Sequence, residues 1–243
     1  MTIQDMHYDF KSKLNKIDSQ QYKNLKIPEI DRYLNEDCGI FIKLIAEPRI
    51  NNHLGFEINQ RSIDDLRTLV KSVSITSFSI TSETGLVDST ADAIIPEDYM
   101  FYISSEAIIG KDSCDDRKAT VYIRQHDDNF QESPFDSSSF EWKEVNALFE
   151  GNKLKLYLNS FLIKKLNLKY IRKHAYIHYA QGFQPGGTYT LPSGIVLTGT
   201  QDCELPDHTH AEIVDIAVLI ATDNLQIPDY QIKQAKLNLN QIN

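Results

Sequence analysis

Two histidines separated by one residue, with a cysteine and an aspartate just upstream, are the first side chains in this sequence that could do chemistry. His208 and His210 follow Cys203 and Asp207, a mixture of imidazole, thiol and carboxylate donors that suits zinc. A finger-type site takes its ligands as two pairs, and no second pair stands at that spacing. Thr209-His210-Ala211-Glu212 also has the form of a capping box, which places the histidines at the entry to a helix. The second cluster, Gln125-His126-Asp127-Asp128, offers carboxylates to a hard cation. Asp-Asp-Asn after a strand is equally ordinary turn chemistry. Gly110-Lys111 is followed by Asp112 and lacks the upstream glycine of a phosphate loop. A His-Glu-x-x-His zinc helix, a nucleophile elbow and a dinucleotide fingerprint are all missing. These residues therefore point to no catalytic group, no metal and no cofactor. The alternative is a small cytosolic metal-dependent hydrolase built on His126 and Asp127 or on His208 and His210.

A third cluster is chemical only in its charge. Lys153, Lys155, Lys164, Lys165, Lys169, Arg172 and Lys173 fall in one stretch that holds no acid. Lysines alternate with leucines there, so a hairpin would carry one leucine face and one lysine face. Such a basic face suits contact with an acidic face on a neighbouring subunit. The other candidate interface is the tail, residues 225–243. Pro228 interrupts the preceding helix, and Tyr230/Ile232 and Leu237/Leu239 alternate within an Asn- and Gln-rich stretch, as in a docking arm shaped by its partner.

The elements that must position these groups follow from periodicity. Ile3, Met6, Phe10, Leu14 and Ile17 form a helical stripe, and Pro28 opens a stronger helix with apolar positions at Ile30, Leu34, Cys38, Phe41 and Ile45, stopped by Pro48. Ser62 to about Lys71 reads as a short capped helix. Val73 to Thr81 then alternates with a slip near Ser77, read as one bulged strand. Ala119–Gln125, a turn at Gly151-Asn152, Leu154/156/158, a turn at Asn159-Ser160, Leu166/168/Tyr170 and Ala175/Ile177/Tyr179 continue as an antiparallel meander. The last helix, from Thr209 to about Thr222, is apolar nearly all round and therefore buried. The expected fold is α+β, a helical bundle from both chain ends packed with a central antiparallel sheet. It divides into a helical part (1–72), a β part (73–204), a C-terminal helix on the N-terminal helices (205–224) and the arm.

The bulk properties fit a soluble protein. A net charge of −9 argues against binding by phosphate neutralisation and suits a wall that DNA slides past. The N-terminus shows no export signal, the longest apolar run is too short to cross a bilayer, and three scattered cysteines read as reduced cytoplasmic thiols.

Several segments, taken in order, resemble the neck ring (head–tail connector) proteins of crAss-like bacteriophages, which share an architecture with the adaptors of short-tailed phages. They are Glu29-Ile30-Asp31 through Leu34-Asn35-Glu36 to Phe41-Ile42-Lys43; Pro96-Glu97-Asp98-Tyr99; Gln125-His126-Asp127-Asp128 with Pro134-Phe135; Tyr170-Ile171-Arg172-Lys173; and Leu205-Pro206 leading into His210–Val218. The family places proline after the Tyr-Ile-Arg-Lys stretch, where this chain has His174. The resemblance implies a virion structural protein: one subunit of a dodecameric ring stacked on the portal or on an adjacent neck ring or tail protein, with DNA passing through its centre. It implies no reaction and no membrane.

Overall fold

The computed structural model describes residues 1–14, 25–46, 63–82, 88–111, 114–124, 136–180 and 189–224. The chain forms two compact units, one from Met1–Leu69 with His174–Asn243 and one from Val70–Lys173. The fold is α+β.

The long helices described in the first unit are α1 (Ile3–Leu14), α2 (Ile27–Ala46) and α3 (His210–Asn224). Thr2 and Asp5 close a reciprocal capping box at the start of α1, the Asp5 carboxylate accepting from the Thr2 amide at 3.0 Å and the Thr2 hydroxyl from the Asp5 amide at 3.2 Å. The apolar stripe of α1 is buried at Ile3, Met6, Phe10 and Leu14, and that of α2 at Ile30, Leu34, Cys38, Phe41 and Ile42. Both helices contact α3, whose buried residues (Ile213, Val214, Ile216, Ala217, Val218, Ala221) cover more than one face, as its all-round apolar sequence requires. Thr209 does not stand at the helix cap as expected. A 3-10 turn over Asp207–Thr209 precedes α3, and the Thr209 hydroxyl donates to the Pro206 carbonyl at 2.8 Å. The helix expected from Ser62 to Lys71 is shorter: residues 63–66 are helical, Arg67–Leu69 tighten to a 3-10 turn, and Val70 already belongs to a strand.

The second unit is an eight-stranded sheet: β1 (Val70–Ile75), β2 (Ser79–Ser82), β3 (Asp88–Ile94), β4 (Tyr99–Gly110), β5 (Arg117–Ile123), β6 (Glu144–Glu150), β7 (Lys153–Asn159) and β8 (Leu162–Arg172). The hydrogen-bonded order is β1-β8-β4-β5-β6-β7-β3-β2. It is mixed rather than antiparallel throughout, because β5 and β6 run parallel, with Thr120 opposite Glu144 and Ile123 opposite Ala147. Parallel neighbours need a long crossover, and residues 124–143 supply it.

Chain connectivity forces this sheet to curl. Between β7 and β8 lie β6, β5 and β4, so in a flat sheet the two strands would sit about 19 Å apart at the usual strand spacing. Only Ser160 and Phe161 join them, a reach of about 11 Å, with Ser160 in the left-handed region at φ 56°. Likewise β1 and β2 occupy opposite edges of the sheet and are joined by residues 76–78 alone. Val73–Thr81 is therefore not one bulged strand, as its alternation suggests; it is two strands that finish opposite edges and draw them together. The concave side encloses a core of Ala91, Ala93, Ala107, Ile109, Ala119, Val121, Val145, Ala147, Leu154, Leu156, Leu158, Ile163 and Leu166, with Phe140 and Phe161. Small alanines on four strands let the walls approach closely.

β7 alternates as its sequence demands, with Leu154, Leu156 and Leu158 fully buried and Lys153 and Lys155 turned outward. On β8 the buried Tyr170 hydroxyl donates to Asp98 at 2.7 Å, and Lys71 approaches the same carboxylate at 2.7 Å. Lys71, then Tyr170, hold the Asp98 carboxyl below the usual carboxylate range. Replacing Tyr170 by Phe leaves the packing and removes one hydrogen bond to a charged group, so chemical denaturation should show a loss of about 1–2 kcal/mol. An unchanged midpoint would show that Asp98 contributes nothing through that bond.

Residues Ala175, Ile177 and Tyr179 do not extend the sheet. Residues 173–180 run without regular structure, apart from a bridge between His178 and Gln201, and a two-stranded ribbon joins β9 (Tyr189–Thr190) to β10 (Val196–Leu197).

Candidate functional site

Among the described residues, the Cys203–His210 cluster lies in the first unit and is tied to its own scaffold. Cys203 lies in the strap before α3, and Cys38 faces it from α2, a free thiol like Cys203 and fully buried. Cys38 donates to the Cys203 sulfur, which lowers the Cys203 thiol to about 5, with His210 and the Leu205 amide adding to the effect. That same contact and burial hold Cys38 protonated. His210 is raised, first by its contact with Cys203. Its Nε2 lies 2.8 Å from the Leu205 carbonyl, which fixes the ring at the head of α3. A thiol–imidazole pair of this kind can act as a nucleophile and base when a substrate reaches it. Here Cys203 is only 9% exposed and His210 only 2%, so the pair holds the strap to the helix.

His208 turns the other way, its Nε2 2.6 Å from a buried Asp65 carboxylate. Asp207 is exposed and sits 3.7 Å from His210. Of the four residues singled out in the sequence, Cys203 and Asp207 both stay beside His210, while His208 turns away to Asp65. Among the described residues no three His, Cys, Asp or Glu side chains converge as metal ligands. His126, Asp127 and Asp128 lie outside the described residues.

Besides Asp65, the buried carboxylates Asp31 and Asp37 escaped the reading of the sequence. Asp31, fully buried on α2, receives the His7 imidazole at 2.7 Å from α1, the Tyr179 amide at 3.3 Å and the Tyr189 hydroxyl at 3.2 Å. One carboxylate thereby joins two helices to the strap. Asn35, one turn later, repeats the device: its amide nitrogen donates to the Ile177 carbonyl at 2.8 Å while its oxygen accepts the Ile177 amide at 2.7 Å, as a strand neighbour would. Asp37 is different. It is fully buried, and neither carboxylate oxygen has a hydrogen-bond partner among the described residues. Burial, with Glu36 nearby, pushes its carboxyl up to about 8. The available signal was phase, because Asp31 shares the helical stripe of Leu34, Cys38 and Ile42, where a carboxylate must find a partner or stay protonated.

The basic cluster is not one face. β7 and β8 are not paired with each other, since three strands separate them in the hydrogen-bonded order, so the expected leucine/lysine hairpin does not form. Lys153 reaches Asp92 at 3.3 Å, Lys155 reaches Glu150 at 3.7 Å and Lys164 reaches Asp116 at 2.6 Å. Lys173 donates to the Glu97 carbonyl and Arg172 to the Lys173 carbonyl, each at 3.2 Å. Lys165 and Lys169 point outward from β8 with no acidic partner within 4 Å among the described residues. Tyr230, Ile232, Leu237 and Leu239 lie outside the described residues.

What remains is a scaffold whose polar groups brace helices and whose charges face outward. A family model described as phage tail ring protein 3/4, of the crAss group, matches residues 1–228. The chain belongs to this family. It is a crAss-like phage tail ring protein, a structural component of the virion. No curated protein matches the ring protein significantly. No described helix of the ring protein is long and apolar enough to cross a membrane.

Proposed function

We propose that the ring protein forms a ring of twelve copies in the neck of the virion, seated between the portal and the tail and bounding the passage through which DNA leaves the capsid. The family match over residues 1–228 carries this reading. The net charge of −9 supports it, because a wall that repels phosphate lets DNA move without being gripped. The protein performs no reaction in this role and needs no cofactor. Its helices brace the subunit against the ring's curvature and its sheet presents lateral contacts.

Two contact regions follow. The basic side chains of two separate strands, Lys153 and Lys155 on β7 and Lys165, Lys169, Arg172 and Lys173 on and after β8, meet acidic side chains on neighbouring subunits, and the arm (residues 225–243) docks through Tyr230, Ile232, Leu237 and Leu239 on the adjacent ring or the portal. Changing Lys155 and Lys169 together to Glu should weaken ring formation and reduce its salt sensitivity, read by sedimentation across ionic strength. Rings that form equally well at every salt concentration would reduce those lysines to solvated surface. Deleting residues 225–243 should leave thermal unfolding of the subunit nearly unchanged while abolishing attachment to the adjacent ring; complete, DNA-retaining particles from that variant would defeat the arm. The assembly itself is tested by native mass measurement of the purified complex. A mass twelve times that of the 27.9 kDa chain is expected, and a different multiple corrects the copy number.

A further inference from the structure

The cysteines lie far apart in the sequence, yet the fold brings two of the three together. Cys38 sits on the buried face of α2, and Cys203 in the strap that leads to α3. Both are free thiols, and Cys38 donates to the Cys203 sulfur. The backbone that carries them is braced. Asn35, about one turn before Cys38, holds Ile177 through bonds at 2.8 and 2.7 Å. From there the His178–Gln201 bridge, with backbone bonds at 3.0 and 2.7 Å, reaches the segment that bears Cys203. The Ala175 amide adds a bond at 2.8 Å to the carboxylate of Glu204, the next residue.

His210 supplies a base. Its Nε2 lies 2.8 Å from the Leu205 carbonyl. A carbonyl only accepts, so Nε2 carries the proton and Nδ1 of the neutral ring keeps its lone pair. Nδ1 is buried without a hydrogen-bond partner among the described residues, and Cys203 lies against the same ring. A basic nitrogen beside a thiol draws its proton, and the thiolate is the form that reacts with oxidants. The lowered Cys203 thiol agrees with this arrangement, whereas burial in apolar surroundings alone would have raised it. Cys203 is 9% exposed and Cys38 fully buried, an opening for a reagent little larger than water and not for a bulky one. The ring role makes no use of this thiolate.

We infer that Cys38 and Cys203 form an oxidation site that a small peroxide closes into a disulfide, fastening α2 to the strap before α3. The Cys203 thiolate attacks one peroxide oxygen and the O–O bond breaks. The leaving hydroxide takes the proton held on His210 Nδ1 and departs as water, and Cys203 becomes a sulfenic acid. The Cys38 sulfur then attacks the Cys203 sulfur. The S–O bond breaks, the S–S bond forms, and the hydroxide leaves with the Cys38 proton as a second water. Two thiols are oxidised and one peroxide is reduced. The new bond joins the two stretches that make the first unit, Met1–Leu69 and His174–Asn243, with the whole second unit between them in the sequence. Closing so long a loop removes entropy from the unfolded chain, so the subunit is hardened in an oxidising medium.

The full-length protein, reduced and freed of reductant, is treated with hydrogen peroxide in native buffer. Remaining thiols are alkylated after denaturation, and the chain is mapped by non-reducing peptide mass spectrometry. A Cys38–Cys203 cross-linked peptide is expected at a peroxide dose that leaves the exposed Cys114 alkylated. The thermal midpoint should rise by about 5 °C or more on oxidation and return with dithiothreitol. In Cys38→Ser the reaction should stop at Cys203, where dimedone captures the sulfenic acid. His210→Gln should slow loss of the Cys203 thiol by about ten-fold or more, with circular dichroism unchanged. If either variant does not fold, the peptide map of the unaltered chain decides alone. Oxidation that takes Cys114 and leaves Cys38 and Cys203 as thiols overturns the inference. So does Cys203 driven to sulfinic acid beside an intact Cys38, or a cross-linked chain whose midpoint does not rise.

Discussion

Raising the pH from about 4 to 8 should turn Asp37 into a progressively destabilising group, seen as a growing difference from Asp37→Asn. The carboxyl is fully buried and unpartnered among the described residues, and burial raises it from 3.8 to about 8. Below pH 4 the group is protonated in both folded and unfolded chains, so it contributes no pH dependence there. Between 4 and 8 the unfolded chain releases the proton and the folded one keeps it, so stability falls by roughly 1.4 kcal/mol for each pH unit. Above 8 both forms are ionised and the slope ends. The accumulated cost reaches roughly 3–6 kcal/mol, large beside the whole stability of an ordinary domain. Asp37→Asn removes the titration, so the difference in urea unfolding free energy between variant and native chain should grow steadily in the variant's favour from pH 5 to pH 8. Parallel curves would show that Asp37 has a partner that carries its charge.

Asp31 is the opposite case, a buried carboxylate with every direction used. Asp31→Ala removes the carboxylate that the His7 ring, the Tyr179 amide and the Tyr189 hydroxyl share. The expected loss is roughly 3–5 kcal/mol, because three buried hydrogen bonds to one carboxylate are lost at once. His7→Ala should cost less than Asp31→Ala, because Tyr179 and Tyr189 still satisfy the carboxylate. If the two substitutions cost the same, the network reduces to the His7–Asp31 contact. Hydrogen exchange of the 174–180 strap amides would separate the two outcomes, since only loss of Asp31 should release Tyr179.

These two aspartates also mark where the sequence could be read and where it could not. α1, α2 and α3 were legible because their apolar residues repeat every three or four positions, and β7 because Leu154, Leu156 and Leu158 alternate with outward polar residues. β4 was not, although it is twelve residues long and central. Its register shifts between Tyr99 and Phe101, Tyr102 and Ser104, and Ile108 and Ile109, and each shift breaks the two-residue period on which strand recognition depends. β3 was hidden by its own packing, since the tight wall of the curled sheet takes Ala91 and Ala93 where a longer apolar side chain would have announced a strand. The parallel β5–β6 pair could not be read locally at all, because pairing across residues 124–143 is set by tertiary packing. The lysine tract misled for a related reason: two strands consecutive in sequence with a two-residue link ordinarily make a hairpin, whereas here β6, β5 and β4 stand between β7 and β8. The Cys203–His210 cluster was found correctly as a cluster, but donor type says nothing about direction, and direction sends His208 to Asp65 and His210 to Leu205.

The central claim is that this chain builds a ring in the neck of the particle. The most direct measurement is a symmetry-free reconstruction of the neck from intact virions by electron cryomicroscopy, with the subunit fitted to the density. The account predicts twelve copies in one closed ring between portal and tail. Density that places the chain outside the neck, or as isolated copies that make no closed ring, would contradict it.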